Sequence, residues 1–181
     1  MTSSGRRVLV TGGVRSGKSA YAEARLADQP AVTYVAPGPA ADPQLDPEWA
    51  ARVARHQRRR PPHWTTVETD DVAAALHSAA AAVMIDSLGT WLTATIDGLG
   101  TWDQPLEHWQ DTFDERAAQL VEAWRGCRGP AVAVTNEVGW GLVSEHRSGR
   151  LFTDLLGRVN QQVAAASDEV ILVVAGRALA L

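Results

Sequence analysis

Short runs of apolar, largely β-branched residues recur along the chain at 8–11, 31–35, 83–86, 131–135 and 170–174. Their apolarity is nearly continuous, without the alternation of a half-exposed strand, and predicts a parallel sheet covered on both faces. Between them lie longer stretches with helical spacing, predicting helices over 18–27, 47–60, 72–81, 104–124 and 151–166. Strand and helix alternate, so the expected class is α/β. No internal repeat and no linker divides the 181 residues, and a single domain over 1–181 is expected. A proline-rich loop is expected at 37–43 and a chain break at Gly98-Leu99-Gly100.

Composition narrows the function classes. A net charge of -4 argues against general nucleic-acid binding, which needs a basic face. No apolar stretch reaches bilayer length, and residues 1–7 lack the apolar core of a signal peptide, so a soluble cytoplasmic protein is expected. Cys127 is the only cysteine, which excludes an internal disulfide and a thiolate cluster. Lysine is equally scarce: sixteen of the 17 basic residues are Arg, and the single Lys is Lys18.

That lysine lies in GGVRSGKS, which follows the first apolar run and matches G-x-x-x-x-G-K-[ST] over Gly12, Gly13, Val14, Arg15, Ser16, Gly17, Lys18 and Ser19. Gly12 and Gly17 allow a backbone that turns successive N–H groups toward phosphate oxygens. Lys18 is placed to reach the β and γ phosphates, Ser19 to ligate magnesium, and the following helix to aim its positive end at the anion. A Gly-rich turn that binds nothing is the alternative. Asp86 closes the third apolar run, at the carboxyl end of a predicted strand, where open α/β sheets place their ligands. It is a candidate magnesium ligand opposite Ser19, or else a cap for the next turn with Ser87. Thr135-Asn136-Glu137 follows another strand, to sense a γ phosphate, to position a second substrate, or simply to form a turn or cap.

The stretch DPEWAARVARHQRRRPP predicts a helix with Asp46 as cap, Pro47 first and Pro61-Pro62 ending it. Arg52, His56 and Arg59 fall at i, i+4 and i+7 on one stripe, with Trp49 and Val53 beside it. Neighbouring positive charge favours the neutral, nucleophilic imidazole, and guanidinium groups suit a departing pyrophosphate. A solvated basic helix is the alternative. His63, His77, His108 and His146 have no metal-ligand spacing. Trp91, Trp102 and Trp140 are candidate stacking surfaces for a large planar ligand, but are expected instead to pack in the interior. A guanine-reading N-K-x-D stretch is absent, which counts against a switch GTPase.

Together VLVTGGVRSGKSAYAE, AARVARHQRRRPPHWTTVE, DSLGTWL and the block from TNEVG to VNQ resemble the bifunctional adenosylcobinamide kinase/adenosylcobinamide-phosphate guanylyltransferase family of cobalamin biosynthesis. The resemblance implies a P-loop NTPase-like three-layer fold and two reactions. A nucleoside triphosphate, ATP or GTP, phosphorylates adenosylcobinamide; GTP then guanylylates a histidine, and adenosylcobinamide phosphate takes up the GMP. It implies that His56 is that histidine and that Lys18 is catalytic. It implies nucleotide contacts from Gly12 through Ser19, from Gln57, Arg58, Arg59, Glu68 and Asp86, a Mg2+ held by Ser19 and Asp86, and a homo-oligomer, typically a homotrimer. The chain departs from the family pattern at Pro37, in a longer loop over 38–45, and at Ser144 and His146. Attack at both the γ and the α phosphorus requires a shift of nucleotide or helix, with 37–46 as the expected hinge. A kinase alone, a guanylyltransferase alone and a non-catalytic nucleotide-binding regulator are the competing readings.

Overall fold

The computed structural model describes residues 6–38 and 44–181, and the side chains of Trp49, Arg52, Arg55, His56 and Arg59 lie outside that description. Residues 39–43, the middle of the expected hinge at 37–46, also lie outside it.

Strands β1 (Arg7–Thr11), β2 (Val32–Ala36), β3 (Trp64–Glu68), β4 (Ala82–Asp86), β5 (Ala131–Val134), β6 (Glu169–Val174) and β7 (Arg177–Ala180) form one sheet in the order β3-β2-β4-β5-β1-β6-β7. Every neighbouring pair is parallel except β6 and β7. Helices α1 (Lys18–Arg25), α2 (Pro47–Arg59), α3 (Val72–Ser78), α4 (Leu88–Leu99), α5 (Gln110–Arg125) and α6 (Arg147–Ala165) connect them. The expected P-loop NTPase-like α/β architecture is therefore present.

Strand residues divide by parity between two cores. Leu9, Val35, Val83, Ile85 and Ala133 face α3 to α6, while Val8, Val10, Tyr34, Met84 and Val134 face Ala22 of α1 and Leu26 at its end. This explains the continuous apolar runs, because both faces of each central strand are covered. On the larger side Trp91, Trp109 and Phe113 pack as tilted and edge-on rings with centroids 6.1–6.2 Å apart, each worth about 2–3 kcal/mol of buried surface.

Three elements escape the sequence pattern. Helix α4 begins under a Ser87 cap, ends at Gly100 in the left-handed region (φ 63), and buries Leu88, Gly89, Trp91, Leu92, Thr95 and Ile96. A helix covered on most sides has no polar stripe to reveal its period. β3 is an edge strand whose Thr65, Thr66 and Glu68 are exposed. β7 returns through a two-residue turn at Ala175 (φ 49) and Gly176 (φ 76), the positive-φ pair that tight hairpins require. Boundaries moved too: α6 starts at Arg147 rather than 151, and α5 at Gln110 after a 3₁₀ turn over Leu106–His108.

Candidate active site

β1 ends at Thr11, and the chain turns through Gly12 to Gly17 before α1 opens at Lys18. The loop sits tightly on β6: a Cβ at Gly12 would stand 2.4 Å from the Val173 carbonyl oxygen. Gly17 adopts φ 97, a left-handed conformation that disfavours any side chain. Gly176 N–H donates to the Ser16 carbonyl at 2.8 Å, and Glu137 N–H donates to the Gly12 carbonyl at 3.1 Å. Lys18 is buried, with Nζ donating to the Gly13 carbonyl at 3.2 Å, while Gly13, Val14 and Arg15 are exposed at the apex. Ser16 Oγ is buried with no hydrogen-bond partner among the described residues. The first turn of α1 carries no acidic residue, so the positive end of the helix is left for an anion.

Parallel pairing sends the carboxyl ends of β1 to β5 to one edge of the sheet. Asp86 therefore emerges on the same edge as the phosphate loop, with only β5 between their strands. Of the two roles open to it in the sequence, capping belongs instead to Ser87, whose Oγ accepts from Thr90 N at 3.4 Å. Asp86 Oδ2 accepts a hydrogen bond from the Tyr34 hydroxyl at 2.7 Å. Burial, followed by the Asp86 charge, pushes the Tyr34 hydroxyl far above its ordinary value, so it stays a proton donor throughout the physiological range. Ser19, the second residue of α1, is half-buried beside Lys18. A serine hydroxyl and a carboxylate on one sheet edge are the hard-oxygen donors a nucleotide-bound Mg2+ takes, with phosphate and water completing its shell. Among the described residues no group of three His, Cys, Asp or Glu forms an all-protein metal site.

The end of β5 is braced from α6. Thr135 Oγ1 donates to Asn160 Oδ1 at 2.6 Å, and Asn160 Nδ2 donates to the Asn136 carbonyl at 3.0 Å. The buried Thr135 hydroxyl is thus engaged in holding the strand end. Glu137 alone of the three turns toward the phosphate loop, accepting from Thr11 Oγ1 at 3.1 Å. The following loop is rooted by Arg150, which donates to the carbonyls of Ser144 and Glu145 at 2.8 Å, and beyond the partly buried Val138 its apolar residues face solvent. Trp140 is 74% exposed and Leu142 and Val143 likewise protrude, correcting the expectation of an interior Trp140. Trp91 is buried as expected and Trp102 is half-buried, donating to Asp97.

α2 spans the basic segment as far as Arg59, one residue short of the expected end, so His56 lies on the helix that crosses from β2 to β3. Gln57 and Arg58 are exposed, and Glu68 is exposed at the carboxyl end of β3. β3 and β1 are four strand spacings apart, about 19 Å, so Glu68 and the phosphate loop mark the two ends of one long edge. His63, His77, His108 and His146 are all exposed. Sequence reasoning passed over Tyr34, Arg60 and Asn160. An aromatic hydroxyl inside the otherwise apolar VTYVA was the available signal for Tyr34, because a buried phenol needs a partner.

No helix among the described residues is long and apolar enough to cross a membrane. The fold is similar to that of an ATPase from the type III secretion system of pathogenic bacteria, with a TM-score of 0.56 at 15% identity, covering 93% of this chain and 52% of that one. Curated relatives are closer. The bifunctional adenosylcobalamin biosynthesis protein CobU of Salmonella typhimurium is 43% identical over 178 residues, 93% of this chain and 96% of its own. The protein of the same name from Escherichia coli is 41% identical over 178 residues, 93% of this chain and 96% of its own. CobP of Pseudomonas aeruginosa, also named a bifunctional adenosylcobalamin biosynthesis protein, is 37% identical over 175 residues, 94% of each chain. The family described as cobinamide kinase / cobinamide phosphate guanyltransferase matches residues 8–181, and with the phosphate loop, the Asp86 strand and the histidine helix all inside that span, this chain belongs to it.

Proposed function

We propose that this chain, as a single domain over 1–181, phosphorylates adenosylcobinamide with ATP or GTP and then transfers GMP from GTP to adenosylcobinamide phosphate through a guanylylated His56, yielding adenosyl-GDP-cobinamide. The observation that carries the reading is the phosphate loop closed onto β6, with Lys18 buried at its base and Asp86 on the same sheet edge.

In the kinase step the backbone N–H groups of Gly13 to Ser19 and the Lys18 ammonium hold the β and γ phosphates. Ser19 and Asp86 would hold Mg2+, which neutralises charge on the phosphates. The acceptor hydroxyl attacks the γ phosphorus in line, the bond to the β–γ bridging oxygen breaks and the nucleoside diphosphate leaves, while the hydroxyl proton passes to a neighbouring base, for which Glu137 is a carboxylate tied to the loop. In the second step a His56 ring nitrogen attacks the α phosphorus of GTP, a P–N bond forms, and pyrophosphate leaves toward Gln57, Arg58 and Arg59. A phosphate oxygen of the acceptor then attacks the same phosphorus and releases His56. Glu68, at the far end of the edge, takes the nucleoside side of the nucleotide. The protruding Trp140, Leu142 and Val143 offer an apolar surface to the macrocycle of the acceptor. A homotrimer is the proposed assembly.

Incubation with Mg2+ and α-labelled GTP, without corrinoid, tests the reading. Wild type is expected to carry a covalent GMP that is labile in acid and stable in alkali, and His56→Ala to carry none. A wild type that forms no adduct leaves only the kinase. Lys18→Ala is expected to lose γ-phosphoryl transfer, and retention near the wild-type rate would show the loop to be misread.

A further inference from the structure

One buried side chain touches both halves of this site. Tyr34 donates its hydroxyl to Asp86 at 2.7 Å, while its ring carries the Arg60 guanidinium, whose central carbon stands 3.4 Å from the ring centroid. Arg60 immediately follows the last residue of α2 and lies four residues beyond His56. Its Nη1 donates to Thr66 Oγ1 of β3 at 3.0 Å, and its Nε is buried without a partner among the described residues. Trp64, which opens β3, lies against the same phenol ring, with centroids 6.4 Å apart at 35°. A turn closed by Trp64 N–H donating to the Pro61 carbonyl at 3.1 Å ties Arg60 and Trp64 into one short connector. The end of the histidine helix is therefore seated on Tyr34 from two directions, and Tyr34 is tied by its hydroxyl to Asp86.

The electronics of the contact favour transmission. A phenol that donates to a carboxylate becomes more electron-rich, and its ring attracts a guanidinium more strongly. The series Asp86, Tyr34, Arg60 alternates negative group, polarised ring and positive group, so what orients Asp86 also tightens the seat of α2. We propose that Tyr34 and Arg60 are positioning residues that set the His56 helix relative to Asp86, so that guanylylation depends on the hydrogen bond that the Tyr34 hydroxyl donates to Asp86. The inference rests on the proposed roles of His56 and Asp86.

Tyr34→Phe keeps the ring, the Trp64 contact and the Arg60 seat but removes the hydroxyl. It is expected to slow formation of the GMP adduct about 10- to 100-fold, the range associated with a hydrogen bond to a charged group. It should also weaken binding of Mn2+, used as a paramagnetic stand-in for Mg2+, to the complex with a non-hydrolysable GTP analogue several-fold, read by electron paramagnetic resonance. Arg60→Met keeps the apolar stem and should slow adduct formation similarly with Mn2+ affinity at the wild-type value. Because the two act in series, the double variant should lose little more than the worse single variant.

An adduct rate in Tyr34→Phe equal to wild type, or losses that multiply in the double variant, would overturn the inference while leaving the bifunctional reading intact. A wild type that forms no adduct removes the guanylylation reading, and the inference with it. Melting temperatures near wild type for both variants separate positioning from loss of fold, and if Arg60→Met does not fold, Tyr34→Phe alone decides through its paired adduct and Mn2+ measurements.

Discussion

Gly12 provides the sharpest test of how the phosphate loop is held. A Cβ added there would meet the Val173 carbonyl oxygen at 2.4 Å and Ser16 Oγ at 2.7 Å, where real Cβ contacts are essentially never below 3.0 Å. The first obstacle is backbone of a buried strand, so in Gly12→Ala the loop must retreat from β6 by at least about 0.6 Å. The retreat pulls on the Gly176–Ser16 and Glu137–Gly12 hydrogen bonds, which tie the loop to the turn between β6 and β7 and to the segment that follows β5. Overpacking of this kind costs about 1–3 kcal/mol of stability, and misplacing a transferred group by about 1 Å costs on the order of 100-fold in rate. Gly13→Ala is the internal control, because a Cβ there meets nothing within 4 Å. Thermal melting and steady-state phosphorylation of adenosylcobinamide should show Gly12→Ala lower in melting temperature and slower by one to two orders of magnitude. Gly13→Ala should match wild type in stability and retain most of its activity. Equal behaviour of the two variants would refute the packing argument.

Trp140→Ser should leave melting unchanged, since the side chain is 74% exposed, yet raise KM for the corrinoid about tenfold while GMP adduct formation from GTP stays at the wild-type rate. An unchanged corrinoid KM would remove this loop from the acceptor surface. Burial pushes the Cys127 thiol up to about 11, so at pH 7 the folded protein should be alkylated far more slowly than the denatured chain, and the rate should climb as pH rises toward that value. Fast alkylation of folded protein at pH 7 would contradict it.

Much of the carboxyl edge was legible in the residues alone. The central strands are covered on both faces, so their apolar runs are unbroken, and GGVRSGKS identifies itself because a phosphate cradle needs glycines, a lysine and a hydroxyl at set spacing. Asp86 was legible for the same reason, as a charge at the end of such a run. α4 was not, because a helix buried on most sides loses its stripe, and β3 was not, because an edge strand exposing Thr65, Thr66 and Glu68 lacks the apolar signal. Trp140 was misplaced because residue type alone does not determine exposure when Arg150 holds the root of the loop.

By itself, then, the sequence determined the alternation of strand and helix, the phosphate loop, the basic helix of His56 and the family pattern, all of which are local in the chain. Only the tertiary structure decided which distant residues meet. Strand order left a single strand between that of Asp86 and that of the phosphate loop, α6 brought Asn160 beneath Thr135, and β2 placed Tyr34 between Asp86 and Arg60. Such meetings depend on strand order and register across the sheet, to which no short window of residues has access.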